Sequence, residues 1–310
     1  MNLPDWSFNK GVCRIEIDSW STFQMVLERY FLDDYSFIYR GQRCASWSLL
    51  STYDRFYLEL AEAVNNHNPE DSIVFDEDHY ILRFLEPFQE LPTRNKLLGL
   101  HLEKFKSLCT GRRVAYFKEL SDNQWWALGQ HFGLKTPLLD WSFSPYVALY
   151  FALTESNISK EEQHSVWVLS TDNLSKVEKY NKLDLINIVK DAESDENDRL
   201  LTQSGLFSFS VSGQCIEQVA SGLSYDETLK PFLYKIIIPN SFRDEFLRHL
   251  EYMNIHSNSL FPDIIGSAYA SNRELEKIAT NLIRRRTVEW GRKRLDSGSF
   301  ESLNIPKNNV

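Results

Sequence analysis

An arginine at the end of a short hydrophobic stretch, followed at once by glycine, is a good grip for an anion. Residues 37–42 read Phe-Ile-Tyr-Arg-Gly-Gln. The Arg40 guanidinium offers a planar fork of donors, and Gly41 lets a ligand approach the backbone, with Tyr39 as part of the floor. A structural role is the alternative: Arg40 pairs with a core carboxylate such as Asp140. Both hold if the pair faces a cleft. Gln42, Gln130 and His131 donate and accept hydrogen bonds, and suit the reading of an amide. His131, beside Gly133, is a general base if an acid orients it, and otherwise a capping or packing residue. Thr136 and Asp140 lie in an apolar setting, with Leu138, Leu139 and Trp141 as neighbours. A carboxylate enclosed there must be paired, which points to an anchor for the turn over 133–145.

Further along, Gln203 is followed by Ser-Gly-Leu-Phe-Ser-Phe-Ser. As a strand, this places Phe207 and Phe209 on one face and Ser208 and Ser210 on the other. The aromatics can stack a ligand ring while the hydroxyls bind it, or the segment is an ordinary half-buried strand. Asp263 is the leading acid, with Glu217 and Glu227 as rivals; it equally suits an N-cap. Cys44 with His131 and Asp140 would make a nucleophilic set. Arg284-Arg285-Arg286 and Arg292-Lys293-Arg294 form a basic cluster, read as a nucleic-acid contact or as a solvated helix face.

Several elements must position these residues. Trp20, Phe23, Leu27, Tyr30 and Phe31 recur at helical spacing, which predicts a helix over 20–33. A strand follows at 36–39, ended by Arg40 and Gly41. Helices are expected over 54–65, 78–86, 95–109, 121–132, 241–253 and 271–292. Ser144-Pro145 is a helix start, and the apolar run after it predicts a buried central helix over 146–153. Strands are expected at 165–170, 184–189, 205–211 and 232–238. The acidic run over 191–198 reads as a solvated loop, and the composition after Asp296 as a frayed tail.

The chain has 310 residues, 43% hydrophobic and 14% aromatic, enough for a sizeable core. The formal charge of -9 excludes bulk nonspecific nucleic-acid binding but not a local basic groove. Cys13, Cys44, Cys109 and Cys215 include no CxxC pair, so no zinc knuckle or other metal site is expected. Free thiols and the lack of a leader-like N-terminus predict a cytoplasmic protein. The most apolar window, 143–153, is too short to cross a bilayer, so no membrane association is expected. The class expected is α+β, one domain with small mixed or antiparallel sheets surrounded by helices.

Two stretches resemble one family. Phe37-Ile-Tyr-Arg-Gly-Gln42 with Trp47 and Leu49 is the first. The second runs Ala-Leu-Gly-Gln-His-Phe-Gly-Leu-Lys-Thr-Pro-Leu-Leu-Asp-Trp-Ser-Phe-Ser-Pro-Tyr-Val-Ala-Leu-Tyr-Phe-Ala over 127–152. Together they resemble the FRG domain, named for an aromatic–Arg–Gly triplet such as Tyr39-Arg40-Gly41. Segments 199–207 and 260–266 also fit. Lys135 and Pro137 depart from the Gly-Leu-Pro-Thr-Arg that the family is expected to show here. The resemblance implies a core over 36–270, with 1–35 as an N-terminal helical extension and 271–310 as a basic helix and tail.

An aromatic–Arg strand followed by a Ser-bearing strand and an acid is similar to the layout of ADP-ribosyltransferases, an analogy at the level of fold. It implies an NAD-using enzyme, of the kind found among microbial toxins and antiviral effectors. Arg40, His131 and Asp263 would be catalytic. Tyr39, Gly41, Gln42, Gln130, Thr136, Asp140, Gln203, Phe207 and Ser208 would line the dinucleotide site. Arg40 would take the pyrophosphate, and a protein or nucleic acid would be the acceptor. The alternatives are a non-catalytic nucleotide- or peptide-binding module and a Cys44-dependent hydrolase.

Overall fold

The computed structural model describes residues 5–32, 36–66, 91–109, 120–154, 163–189, 205–225 and 228–261, and part of 271–290. The chain divides into two compact units, Met1–Ile255 and His256–Val310. In the second, Ser257–Leu260 forms a short helix, and the described positions between 271 and 290 are helical and exposed. The expected helix at 78–86 and the acidic run over 191–198 lie outside the described residues.

The first unit is α+β, as the sequence implies, but with one mixed sheet of eight strands rather than several small sheets. In chain order the strands are β1 (Ser7–Asn9), β2 (Val12–Glu16), β3 (Phe37–Gln42), β4 (Leu139–Ser142), β5 (Gln163–Ser170), β6 (Ile186–Val189), β7 (Gly205–Ser210) and β8 (Leu233–Pro239). Their spatial order is β1-β2-β8-β5-β3-β4-β7-β6. All pairings are antiparallel except β2 with β8. Residues 7–16, expected in a helical extension, are thus two strands of the sheet. Their hairpin turns through Lys10 and Gly11, both at positive φ, as a two-residue turn requires.

The first unit's helices are α1 (Trp20–Tyr30), α2 (Thr52–Asn66), α3 (Arg94–Cys109), α4 (Asp122–His131), α5 (Pro145–Leu153), α6 (Thr171–Asn181), α7 (Ile216–Ser221) and α8 (Arg243–Tyr252). Local signals explain their starts. Ser19 caps α1 by accepting from the Thr22 amide at 3.1 Å. Ser121 and Gln124 form a capping box on α4. Ser144 accepts from the Val147 amide at 3.3 Å, with Pro145 in the first turn of α5.

Helix α5 is nearly all buried and packs on β3. The approach is so close that a Cβ on Gly41 would lie 1.9 Å from the Ala148 carbonyl oxygen and 2.6 Å from the Ala152 amide nitrogen. Alternation puts Tyr39 on this same face and Ile38, Arg40 and Gln42 on the other. Ile38 joins Leu49, Leu139, Trp141, Trp167 and Leu206 in one core cluster. Trp125, Trp126 and Leu128 of α4 make a second with Leu102, Leu138, Val189 and Phe207. Beside them, α2 and α3 are tied by a buried pair: Arg94 Nε and Nη2 each lie 2.7 Å from Asp54 Oδ1.

Two outcomes test this packing. Gly41→Ala is expected to cost several kcal/mol or prevent folding, because its methyl overlaps helix backbone rather than a movable side chain. Urea denaturation of purified variant and parent measures this. A folded variant of parental stability would show that the contact is not needed. Burial also pushes Tyr53, Tyr225 and Tyr234 each up to about 12. An acid whose folded pKa lies above its unfolded one stabilises the native state until the unfolded chain begins to ionise. Stability should therefore fall as pH rises from 10 toward 12, and Tyr234→Phe should flatten that fall; unfolding midpoints across the range read it out.

Candidate functional site

The structure gathers four of the sequence candidates into one hydrogen-bonded chain. Arg40 Nη1 donates to the Asp140 carbonyl at 2.8 Å and lies 3.5 Å from Asp140 Oδ2. Gln130 Nε2 donates to Asp140 Oδ1 at 2.7 Å. Thr136 Oγ1 donates in turn to Gln130 Oε1. Thr136 is fully buried, its amide donating to Thr52 Oγ1 and its carbonyl accepting from the Tyr53 amide, both at 3.1 Å. The turn before β4 is thereby fastened to the start of α2.

Topology explains why Arg40 reaches Asp140. Strands β3 and β4 share a single pair, Tyr39 with Ser142. Where that ladder gives out, the Arg40 side chain supplies the donor that a strand amide would otherwise give. Asp140 itself lies in β4, opposite Phe207, not in the enclosed turn expected from its apolar neighbours. Leu139 and Trp141 turn into the core while the Asp140 side chain is 64% exposed. Alternation, not enclosure, sets its environment. β3 likewise does not stop at Arg40: it pairs with β5 as far as Gln42 with Ser165.

The Arg40 side chain is three-quarters buried, with 25% of it exposed. Its Nε is buried and has no partner among the described residues. Nη1 is engaged by Asp140. Burial pulls the Arg40 pKa below its ordinary value, the Asp140 carboxylate works against that, and Arg55 adds to the burial effect. An arginine in this state has donors unspent and a charge only partly balanced, which suits a partner that accepts.

Other sequence candidates stand elsewhere. Gly41 meets the backbone of α5, so its missing side chain admits a helix and not a ligand. Tyr39 is buried on the same face. Gln42 is buried as well: its Oε1 accepts from Trp167 Nε1 at 2.6 Å and its Nε2 donates to the Ser48 carbonyl at 3.0 Å. Phe207 is core, packed with the α4 tryptophans. Ser208, fully buried, accepts from Trp141 Nε1 at 2.7 Å. His131 is exposed at the end of α4, its ring 4.9 Å from that of Phe132 and nearly perpendicular. Gln203, Asp263 and Glu227 lie outside the described residues, as do Arg284, Arg292, Lys293 and Arg294; Arg285 and Arg286 are helical and exposed. Glu217 starts α7, and both its oxygens accept from the Leu49 amide, at 3.1 and 2.9 Å. That carboxylate holds a loop.

Sequence reasoning missed the clamp on that loop, residues 43–49. His164 Nδ1 lies 2.7 Å from the Arg43 carbonyl oxygen, and Lys235 Nζ donates to the Ala45 carbonyl. Lys235 sits 4.4 Å from the centre of the Trp167 ring, and burial pulls its pKa down. The contacts to Arg43 and Ala45 span 121 and 190 residues, so local spacing held no signal for the clamp. Cys44 is buried in this loop with its Sγ 3.2 Å from Ser46 Oγ, while Asp140 is held by Gln130 and Arg40. Cys44 is thus a buried thiol beside a serine hydroxyl, whereas His131 and Asp140 are exposed.

Among the described residues no group of three or more His, Cys, Asp or Glu side chains is placed to hold a metal ion. No helix among them is long and apolar enough to cross a membrane. Residues 35–161 match the family model of the FRG domain. Arg40, Gln130, Thr136 and Asp140 all fall inside the matched residues. No curated protein and no solved structure matches the chain.

The clamp is separable from the Arg40 chain. Gln42→Leu should lower stability by about 1–3 kcal/mol, since it leaves the Trp167 N–H buried without an acceptor. Urea denaturation measures the loss. The same change should leave the Arg40–Asp140 geometry in place.

Proposed function

We propose that the FRG domain binds a nucleotide through Arg40, with NAD as the leading substrate class, and that it cleaves or transfers the ADP-ribose part. One observation supports this above the others: a largely buried guanidinium with unspent donors lies beside a solvent-facing carboxylate. Arg40 would take the pyrophosphate and hold it by charge-assisted bonds. Gln130 and Asp140, one step away, would meet the sugar and nicotinamide end. Proximity and charge would supply most of the rate. A protein or nucleic acid would accept the ADP-ribosyl group, or water would, in the manner of an NAD-consuming toxin or antiviral effector.

A second reading is a non-catalytic nucleotide- or peptide-binding module. It is favoured by the Asp140 contact, which already balances part of the Arg40 charge. Hydrolysis centred on Cys44 draws no support from the buried thiol and its Ser46 partner.

Incubation with NAD, read by nicotinamide release and by equilibrium dialysis, separates the readings. Arg40→Gln, checked for parental melting, should weaken NAD binding about 10- to 100-fold, the worth of a charge-assisted bond or two. Binding without release favours the module. Absence of NAD binding at millimolar concentration contradicts the nucleotide reading altogether.

A further inference from the structure

We infer that Asp140 is the carboxylate that acts at the reacting sugar carbon, and that Gln130 and Thr136 are positioning residues that aim it. The inference rests on the nucleotide reading above and adds the identity of its acid. The sequence favoured Asp263 for this role, with Glu217 and Glu227 as rivals; Asp263 and Glu227 lie outside the described residues. Glu217 spends both oxygens on the Leu49 amide and cannot serve.

Asp140 has the opposite character. Its carboxylate stands beside the arginine that would hold the ligand, and most of its surface faces solvent. Its two oxygens are unequal. Oδ1 accepts a short bond from Gln130 Nε2. Oδ2 sits 3.5 Å from Arg40 Nη1, whose well-formed bond goes instead to the Asp140 carbonyl. Oδ2 is thus the oxygen left to receive a proton or to face a positive centre.

The aiming is built from the inside outward. Thr136 is fully buried, so its hydroxyl has one place to go, the Gln130 Oε1. That bond fixes which end of the Gln130 amide points at Asp140: the oxygen is taken, so the NH₂ group faces the carboxylate. A surface glutamine bonded to an exposed aspartate is ordinary. A glutamine whose orientation is set by a fully buried threonine, itself tied to α2, is a built arrangement.

The chemistry balances. Cleavage of the ribose–nicotinamide C–N bond sends its electron pair onto the pyridinium nitrogen, which becomes neutral. The sugar carbon carries the positive charge, and Oδ2 faces it. Water or an acceptor hydroxyl adds through oxygen and gives its proton to Oδ2, which releases it to solvent. With water the products are ADP-ribose, nicotinamide and a proton.

The test uses the full chain with NAD, scoring dialysis and nicotinamide release in parallel with thermal melting. Asp140→Asn keeps an acceptor for Gln130 and removes the charge. Release per bound NAD should fall by at least about 100-fold, the range for a general base, whatever shift in affinity accompanies it. Thr136→Val should lower kcat with little change in KM, and Thr136→Ser should restore it. Should Asp140→Asn fail to fold, Gln130→Ala decides, because it leaves the carboxylate but not its aim; release per bound NAD must fall at least about tenfold. Release at the parental rate in these variants overturns the inference. NAD bound but never cleaved by the parent also overturns it, and leaves the binding reading standing. NAD not bound at all removes both.

Discussion

The structure depends on the contact between Gly41 and the backbone of α5. A strand and a helix ordinarily keep side chains between them. Here the Ala148 and Ala152 backbone occupies the volume that a single methyl would fill. That closeness seats β3 at the middle of the sheet and commits the Tyr39–Gly41 face to the core. Alternation then assigns Arg40 and Gln42 to the other face. One of them is absorbed by Trp167 and Ser48; the other reaches the point where β3 and β4 part. The motif that looks like one ligand-binding unit is thus three structural parts and one arginine that reaches Asp140.

The central helix was legible because its signals are local: Ser144, Pro145 and an apolar run with no polar side. So were α1, α4 and the strands near 165, 205 and 233. The edge of the sheet was not. Strands β1 and β2 are short, and β2 is stabilised by β8, more than two hundred residues later in the chain. Asp140 was misread for a related reason. Flanking Leu139 and Trp141 suggest an enclosed carboxylate, but in a strand one residue's neighbours point the opposite way, so apolar flanks mean exposure. Gly41 carries a parallel lesson: a glycine beside an arginine fits close approach by a ligand or by a helix, and only packing decides between them.

The Arg40 neighbourhood combines a cost and an opportunity. A charge held away from water must be paired and bonded, and Asp140 does this only in part. One donor is satisfied, Nε is not, and the carboxylate keeps most of its exposure to solvent. A purely structural pair would be expected to close both ends. The buried Asp54–Arg94 pair differs in degree: Arg94 Nε donates to Asp54 Oδ1 and Ser51 Oγ to Oδ2, both at 2.7 Å, while Arg94 Nη2, 2.7 Å from Oδ1, makes no hydrogen bond among the described residues.

The most direct measurement is titration of the isotopically labelled protein with ADP-ribose, following the Arg40 Nε–H resonance, which the Arg40→Lys variant assigns by its loss. Nucleotide binding at Arg40 requires that this resonance shift and saturate with the ligand, while the Arg94 Nε–H, held by Asp54, stays still. An Arg40 resonance unmoved at saturating ADP-ribose would contradict the site.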